Sequence, residues 1–83
     1  MGIITTSFAT RKPLGFFTGK KAISIVKQSN IGGDEIEKGS IVIIIGQGRT
    51  KNDLNIRDEK TGVEIYNVWC EQLELIKDDN NQN

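Results

Sequence analysis

Apolar and polar residues alternate over short runs through much of this chain, and a three-to-four-residue period is never sustained. In Lys20–Gln28, Ile23 and Ile25 share one face with Ser24 between them, the period of a strand half-buried in a sheet. Ile41–Ile45 is apolar without a break, which predicts a central strand covered on both faces. Leu54–Arg57 resumes the alternation through Leu54 and Ile56, and Val63–Val68 predicts the returning strand. Within that last run Val63 and Ile65 demand one face while Tyr66 and Val68 demand the other, a conflict that a β-bulge would resolve. Leu73 and Leu75 predict a final short strand after a tight turn at Trp69–Gln72. Trp69, Leu73 and Ile76 also fall at i, i+4 and i+7, so a terminal helix is the competing reading.

The turns between these runs have their own chemistry. Asp58-Glu59-Lys60-Thr61-Gly62 predicts a hairpin in which Gly62 takes the left-handed position. Ser29–Gly33 predicts a loop closed by two glycines, and Asp34–Ser40 a turn that ends on Gly39. Residues 1–20 predict an irregular arm with a short strand near Ile3–Ser7, docked through Phe16-Phe17. Residues 78–83 are polar and predict a disordered tail. About five strands between Lys21 and Lys77, with turns at short intervals, make the fold class all-β: a small barrel or sandwich over residues 21–77.

Composition agrees and narrows the functions available. Isoleucine is the commonest residue at thirteen positions, against four leucines and two alanines, and β-branched side chains favour sheets over helices. At 83 residues there is room for one core and not for separate cofactor and substrate domains. No apolar run approaches the ~18 residues of a membrane-spanning helix, and no secretory signal pattern opens the chain. A lone cysteine fits a reducing compartment, so a cytoplasmic location is expected. Thirteen Ile, eight Lys and seven Asn resemble the codon bias of an AT-rich bacterial or bacteriophage genome.

The stretch from Glu37 to Lys77 resembles small SH3-like β-barrels of the KOW and translation-protein type. Lys38-Gly39 precedes a strand at Ile41–Ile45, a polar loop follows, and Arg57–Gly62 forms a hairpin. Val68, a short helical turn and Leu73-Glu74-Leu75-Ile76 complete the series. The resemblance covers about half of the chain and implies an SH3-like barrel of about five strands carrying the basic N-terminal arm. It also implies a nucleic-acid-binding accessory function, although the hairpins here carry fewer basic residues than the KOW pattern has.

No constellation for catalysis emerges, and a non-enzymatic binding module without cofactor or metal is the expectation. Histidine is absent, which removes the commonest general base and the commonest zinc ligand. Gly46-Gln47-Gly48 opens like a phosphate-binding fingerprint but lacks the third glycine and the helix, so it reads as a hairpin turn. Cys70 has Glu71 and Glu74 beside it and no base, and reads as a structural thiol. Asp34-Glu35-Ile36-Glu37 and Asp78-Asp79 lack the ligand spacing of a calcium loop.

Charge is distributed unevenly. Eleven cations balance eleven acids overall, yet residues 1–33 hold Arg11, Lys12, Lys20, Lys21 and Lys27 and no acid at all. Such an arm can lie on its own acidic body, dock an acidic protein, or bind phosphates while phenylalanines stack on bases. Tyr66 and Trp69 are the two large amphipathic aromatics, and either fill the core or form a ligand platform. The residues singled out for binding are therefore Trp69, Tyr66, Arg49, Lys51, Phe16 and Phe17. The expected work is protein–protein interaction as a modulator of another protein, with nucleic acid the alternative and a homodimer through an exposed strand edge also in view.

Overall fold

The computed structural model describes residues 2–76, so the polar tail expected at 78–83 lies outside the described residues. Eight strands and one short helix follow one another along the chain. They are β1 (Gly2–Ile3), α1 (Thr6–Thr10), β2 (Lys21–Ser24), β3 (Gln28–Ser29), β4 (Glu35–Ile36), β5 (Ile41–Gln47), β6 (Asp53–Asp58), β7 (Glu64–Trp69) and β8 (Leu73–Leu75). A single 3-10 turn, Cys70–Gln72, links β7 to β8 in place of a terminal helix. Six strands form one sheet in the order β1-β8-β2-β5-β6-β7, antiparallel at every pairing, and β3 pairs with β4 in a separate two-stranded ribbon. The chain is thus predominantly β, as the alternation requires, and the six-stranded sheet is open, with β1 and β7 at its edges.

The core is built from one face of that sheet. Val42 and Ile44 of β5, Leu54 and Ile56 of β6, Ile65 and Val68 of β7 and Leu73 of β8 are all buried. Full burial of one such side chain is worth about 1.5–3 kcal/mol. The opposite face of β5 is not covered: Ile41 is exposed and Ile43 and Ile45 are half-buried, so the uninterrupted apolar run marks one buried face and not two. In β2 the alternation holds but the buried set is Ala22 and Ser24, while Ile23 faces outward and is half-buried. Ser24 is tolerated inside because its hydroxyl donates to the Val26 carbonyl and accepts from the buried Gln28 amide.

Two further departures lie outside β2 and β5. The acid-rich stretch expected to be a turn contains β4, whose Ile36 is fully buried. A two-residue strand is too short for a period to register. The arm also carries α1: the Thr5 hydroxyl accepts from the Phe8 amide as an N-cap. At five residues the helix is held by packing and not by propensity.

The arm docks, and it does so through apolar contact. Ile4, Ala9 and Phe17 belong to the same core cluster as the sheet residues, and Phe8 and Phe16 pack against it. The three phenyl rings meet edge to face, with centroids 5.0 Å apart for Phe16 and Phe17 and 5.9 Å for Phe8 and Phe17. Backbone bonds from Gly19 to the Ile44 carbonyl (2.7 Å) and from Ile44 to the Lys20 carbonyl (2.9 Å) lay the end of the arm along β5.

Candidate binding surface

The bulge that the parity conflict demanded is in β7. Leu54 pairs with Val68 and Ile56 with Ile65, so Asn55 of β6 faces two residues, Tyr66 and Asn67. Asn67 takes the left-handed conformation (φ 58°), which asparagine tolerates better than most residues. The extra residue turns both Tyr66 and Asn67 outward and returns Val68 to the core, leaving Trp69 outward as well. Tyr66 is 58% exposed and Trp69 49%. Trp69 is therefore a surface residue, and the fully buried Cys70 beside it occupies the core instead.

Side chains fix the bulge on both sides. The Asn55 amide donates to the Gln47 carbonyl of β5 (3.2 Å), and its oxygen accepts from the Asn67 backbone of β7 (3.0 Å). The Asn67 oxygen in turn accepts from the Arg49 backbone (2.9 Å), tying the 48–52 loop to the aromatic strand. A second register shift sits in β5 between Ile44 and Gly46, on the other flank of Asn55. Asn55 and Asn67 escaped the sequence reading. The signal available was asparagine inside a predicted strand, where it is depleted.

Tyr66 has a defined polar neighbour. Its hydroxyl donates to Glu64 Oε1 (3.0 Å), while Arg57 donates to Glu64 Oε2 through Nε (2.9 Å) and Nη2 (2.8 Å). The Arg57 hydrogen bonds, and after them that of Tyr66, hold the Glu64 carboxyl below its ordinary range. Its stabilising effect is present above the ordinary carboxylate range and is lost as pH falls through the lowered value. The same carboxylate pushes the Tyr66 phenol up, first because ionisation forfeits the hydrogen bond and then by charge repulsion. Tyr66 is the only tyrosine, so phenolate absorbance reports it directly. In Glu64→Gln the titration midpoint should fall toward the ordinary ~10; an unchanged midpoint would show that the contact does not persist in solution.

Beside this strand lies a groove of about 580 Å³, lined on one wall by Ser29, Asn30, Ile31 and Gly32 and on the other by Glu64, Ile65 and Tyr66. Ile31, at the tip of the β3–β4 ribbon, is fully exposed.

The six residues expected to bind fall into separate places. Tyr66 and Trp69 share the outward side of β7, and Arg49 is exposed on the loop bonded to it. Lys51 is exposed at the far end of that loop, where its ammonium donates to the Thr10 carbonyl (3.3 Å). Phe16 is half-buried and Phe17 is 2% exposed, so the Phe17 ring belongs to the interior and is not available for stacking on a base. Burial, and after it Glu71, push the Cys70 thiol up, away from the thiolate a nucleophile needs. Gly46 and Gly48 lie at the end of β5 and in the turn toward β6, with no helix following. Among the described residues no group of three or more acidic or cysteine side chains is placed to hold a metal ion, and no helix is long and apolar enough to cross a membrane. No family model, curated protein or solved structure matches the chain.

Proposed function

We propose that this chain is a non-enzymatic binding module of SH3-like type that engages a protein partner along the β7 edge. The observation that carries the reading is the gathering of Ile31, Tyr66 and Trp69, three exposed large apolar side chains, on and beside one edge strand. Aromatic anchors on a rigid support supply contact area at little entropic cost. Here the support is the Asn55–Asn67 lock. An edge strand offers backbone donors and acceptors to an extended segment, and the groove between Ile31 and Tyr66 offers that segment a seat. The Glu64 carboxylate at Tyr66 disfavours a polyanion on this edge and suits a protein.

The SH3-like reading rests on the series of elements. Lys38-Gly39 precedes β5, which bends at its register shift, and a polar loop, the 58–62 hairpin, Val68, a 3-10 turn and β8 follow in the order the resemblance implies. At the hairpin Gly62 takes φ +80°, and the buried Asp58 accepts from the Lys60 and Thr61 amides.

Affinity capture with wild type, Tyr66→Ala and Trp69→Ala as baits tests the proposal, with circular dichroism to confirm that all three fold. A partner held by wild type should bind each variant at least about tenfold more weakly once purified, the scale of a hot-spot aromatic. Equal affinity for all three proteins would reject the β7 edge as the interface.

A further inference from the structure

Docking of the arm leaves its charge unspent. Among the described residues the ion pairs are Lys21–Glu59, Lys27–Glu35 and Arg57–Glu64, and none involves Arg11, Lys12, Lys20, Arg49 or Lys51. Four of these five cations lie in or reach the Thr10–Phe16 segment. The Lys12 and Lys20 ammonium groups each lie 4.9 Å from the centroid of the Phe16 ring. They are therefore separated by no more than roughly one Debye length at 0.1 M salt, about 10 Å. Lys12 also lies 4.9 Å from the Phe8 centroid. One residue earlier, Arg11 forms the C-cap of α1, its guanidinium donating to Ser7 Oγ (3.2 Å). One residue before that, the Thr10 carbonyl accepts from the Lys51 ammonium (3.3 Å). Two acids lie near this segment: Glu71, which accepts from the Thr6 amide at the opposite end of α1, and Asp53, which accepts from the Thr50 hydroxyl. Among the described residues neither forms an ion pair with any of the four cations.

We infer that this arm face, formed by Arg11, Lys12, Lys20 and Lys51, is a second binding surface, separate from the β7 edge, and that it takes the phosphodiester backbone of a nucleic acid. Clustered like charges repel one another, and a polyanion relieves that repulsion while releasing its own counterions. Phosphodiester is favoured over an acidic protein because Leu14 is the one exposed large hydrophobic among residues 8–20, the half-buried Phe8 and Phe16 rings being approached by lysine ammonium groups. A protein interface needs an apolar centre, whereas backbone binding runs on charge alone. The phenylalanines act differently from stacking platforms. Phe16 and Phe8 hold the lysine ammonium groups by cation–π attraction, and no exposed ring remains on this face to read a base. Binding is therefore independent of sequence and steep in salt.

Fluorescence anisotropy with a labelled oligothymidine and a labelled duplex of mixed sequence, across 50 to 200 mM NaCl, tests this. Four phosphate contacts predict a log–log salt slope of about −3 to −4 on duplex, so affinity should fall about 100-fold over that range. The double variant Lys12→Gln/Lys20→Gln should flatten the slope by about 2, and Lys51→Gln alone by about 1. Trp69→Ala should bind as wild type does. The Lys51 variant keeps the test open if loss of the Phe16 contacts unfolds the double variant. The inference falls if wild type does not bind at 50 mM salt, if the lysine variants keep the wild-type slope, or if Trp69→Ala abolishes binding. It falls equally if polyglutamate competes as well as DNA does, since that would assign the face to an acidic protein.

Discussion

Phe17→Ala is expected to destabilise the whole molecule by about 3–5 kcal/mol, the range for truncating a buried phenylalanine to alanine. That is a large part of the roughly 5–15 kcal/mol that holds a typical domain folded. The ring is 2% exposed and meets Phe8 and Phe16 edge to face, so its removal leaves a cavity and breaks the aromatic cluster together. The neighbours cannot readily collapse into the space. The segment behind Phe17 is fixed by the Gly19 and Ile44 backbone bonds, and the sheet face in front is fixed by its ladder. Urea unfolding followed by tryptophan fluorescence measures the effect, and the form of the curve is as informative as its midpoint. Ile4, Ala9 and Phe17 share one core with β5, β6 and β7, so loss of the ring should lower a single cooperative transition. If the arm were an appendage, trypsin would cut after Arg11 or Lys20 while the sheet kept its wild-type midpoint. A stability loss below about 1 kcal/mol would mean that the arm contributes little to the core.

That expectation shows where the sequence was legible and where it was not. Strands of six or seven residues are long enough to be read, β6 by its alternation and β5 by an unbroken apolar run that nonetheless misstates its outer face, and the hairpin at Asp58–Gly62 announces itself by turn chemistry. The bulge was legible as a contradiction: no single register buries Val63, Ile65 and Val68 together, and the fold resolves it at Asn67. Illegible were β3, β4 and α1, because two- and five-residue elements owe their form to the neighbours they pack on. The choice of buried face in β2 was illegible for a related reason. Period alone cannot say which of two alternating sets points inward, and an inward Ser24 becomes acceptable only with Gln28 and the Val26 carbonyl in place.

Charge misdirects in an instructive way. A basic first third and an acidic remainder suggest that opposite charges bind the arm to its own body. Exposed ion pairs are worth at most about 1 kcal/mol each, while a buried phenyl ring contributes several times that. Apolar burial therefore sets the geometry: Phe17 and Ile4 position the arm. Of the five cations in residues 1–33, Lys21 and Lys27 pair with Glu59 and Glu35, while Arg11, Lys12 and Lys20 form no ion pair among the described residues. Tyr66 and Trp69 show the same ordering of effects. They are large enough to be core residues, but the bulge turns both outward and small Cys70 fills the interior beside them.

Gly48→Ala should be the most damaging single methyl addition in the chain, costing about 1–3 kcal/mol by overpacking. A Cβ at this position would lie 2.5 Å from Asn67 Oδ1, 2.8 Å from Asp53 Cβ and 2.9 Å from the Asp53 carbonyl oxygen. The first of these can swing away, but the other two are anchored. The Asp53 carbonyl accepts from the Gly48 amide itself (2.7 Å) and from the Gln47 side chain (2.9 Å). Swinging Asn67 away relieves only the first contact and breaks the bond from the Arg49 amide, loosening the left-handed residue between Tyr66 and Trp69. The other two contacts require the backbone at Gly48 to shift away from Asp53. Because Gly48 does not itself need a positive φ, the cost arises from close approach and not from backbone strain. Two readouts separate this account from a general loss of stability. Near-ultraviolet circular dichroism should change in the Tyr66 and Trp69 bands well below the unfolding midpoint. Gly19→Ala, which replaces a glycine at φ +90° with open space around it, should cost stability and leave those bands intact. If Gly48→Ala kept the wild-type aromatic spectrum, the Asn67 lock would not be what holds the two rings on the β7 edge.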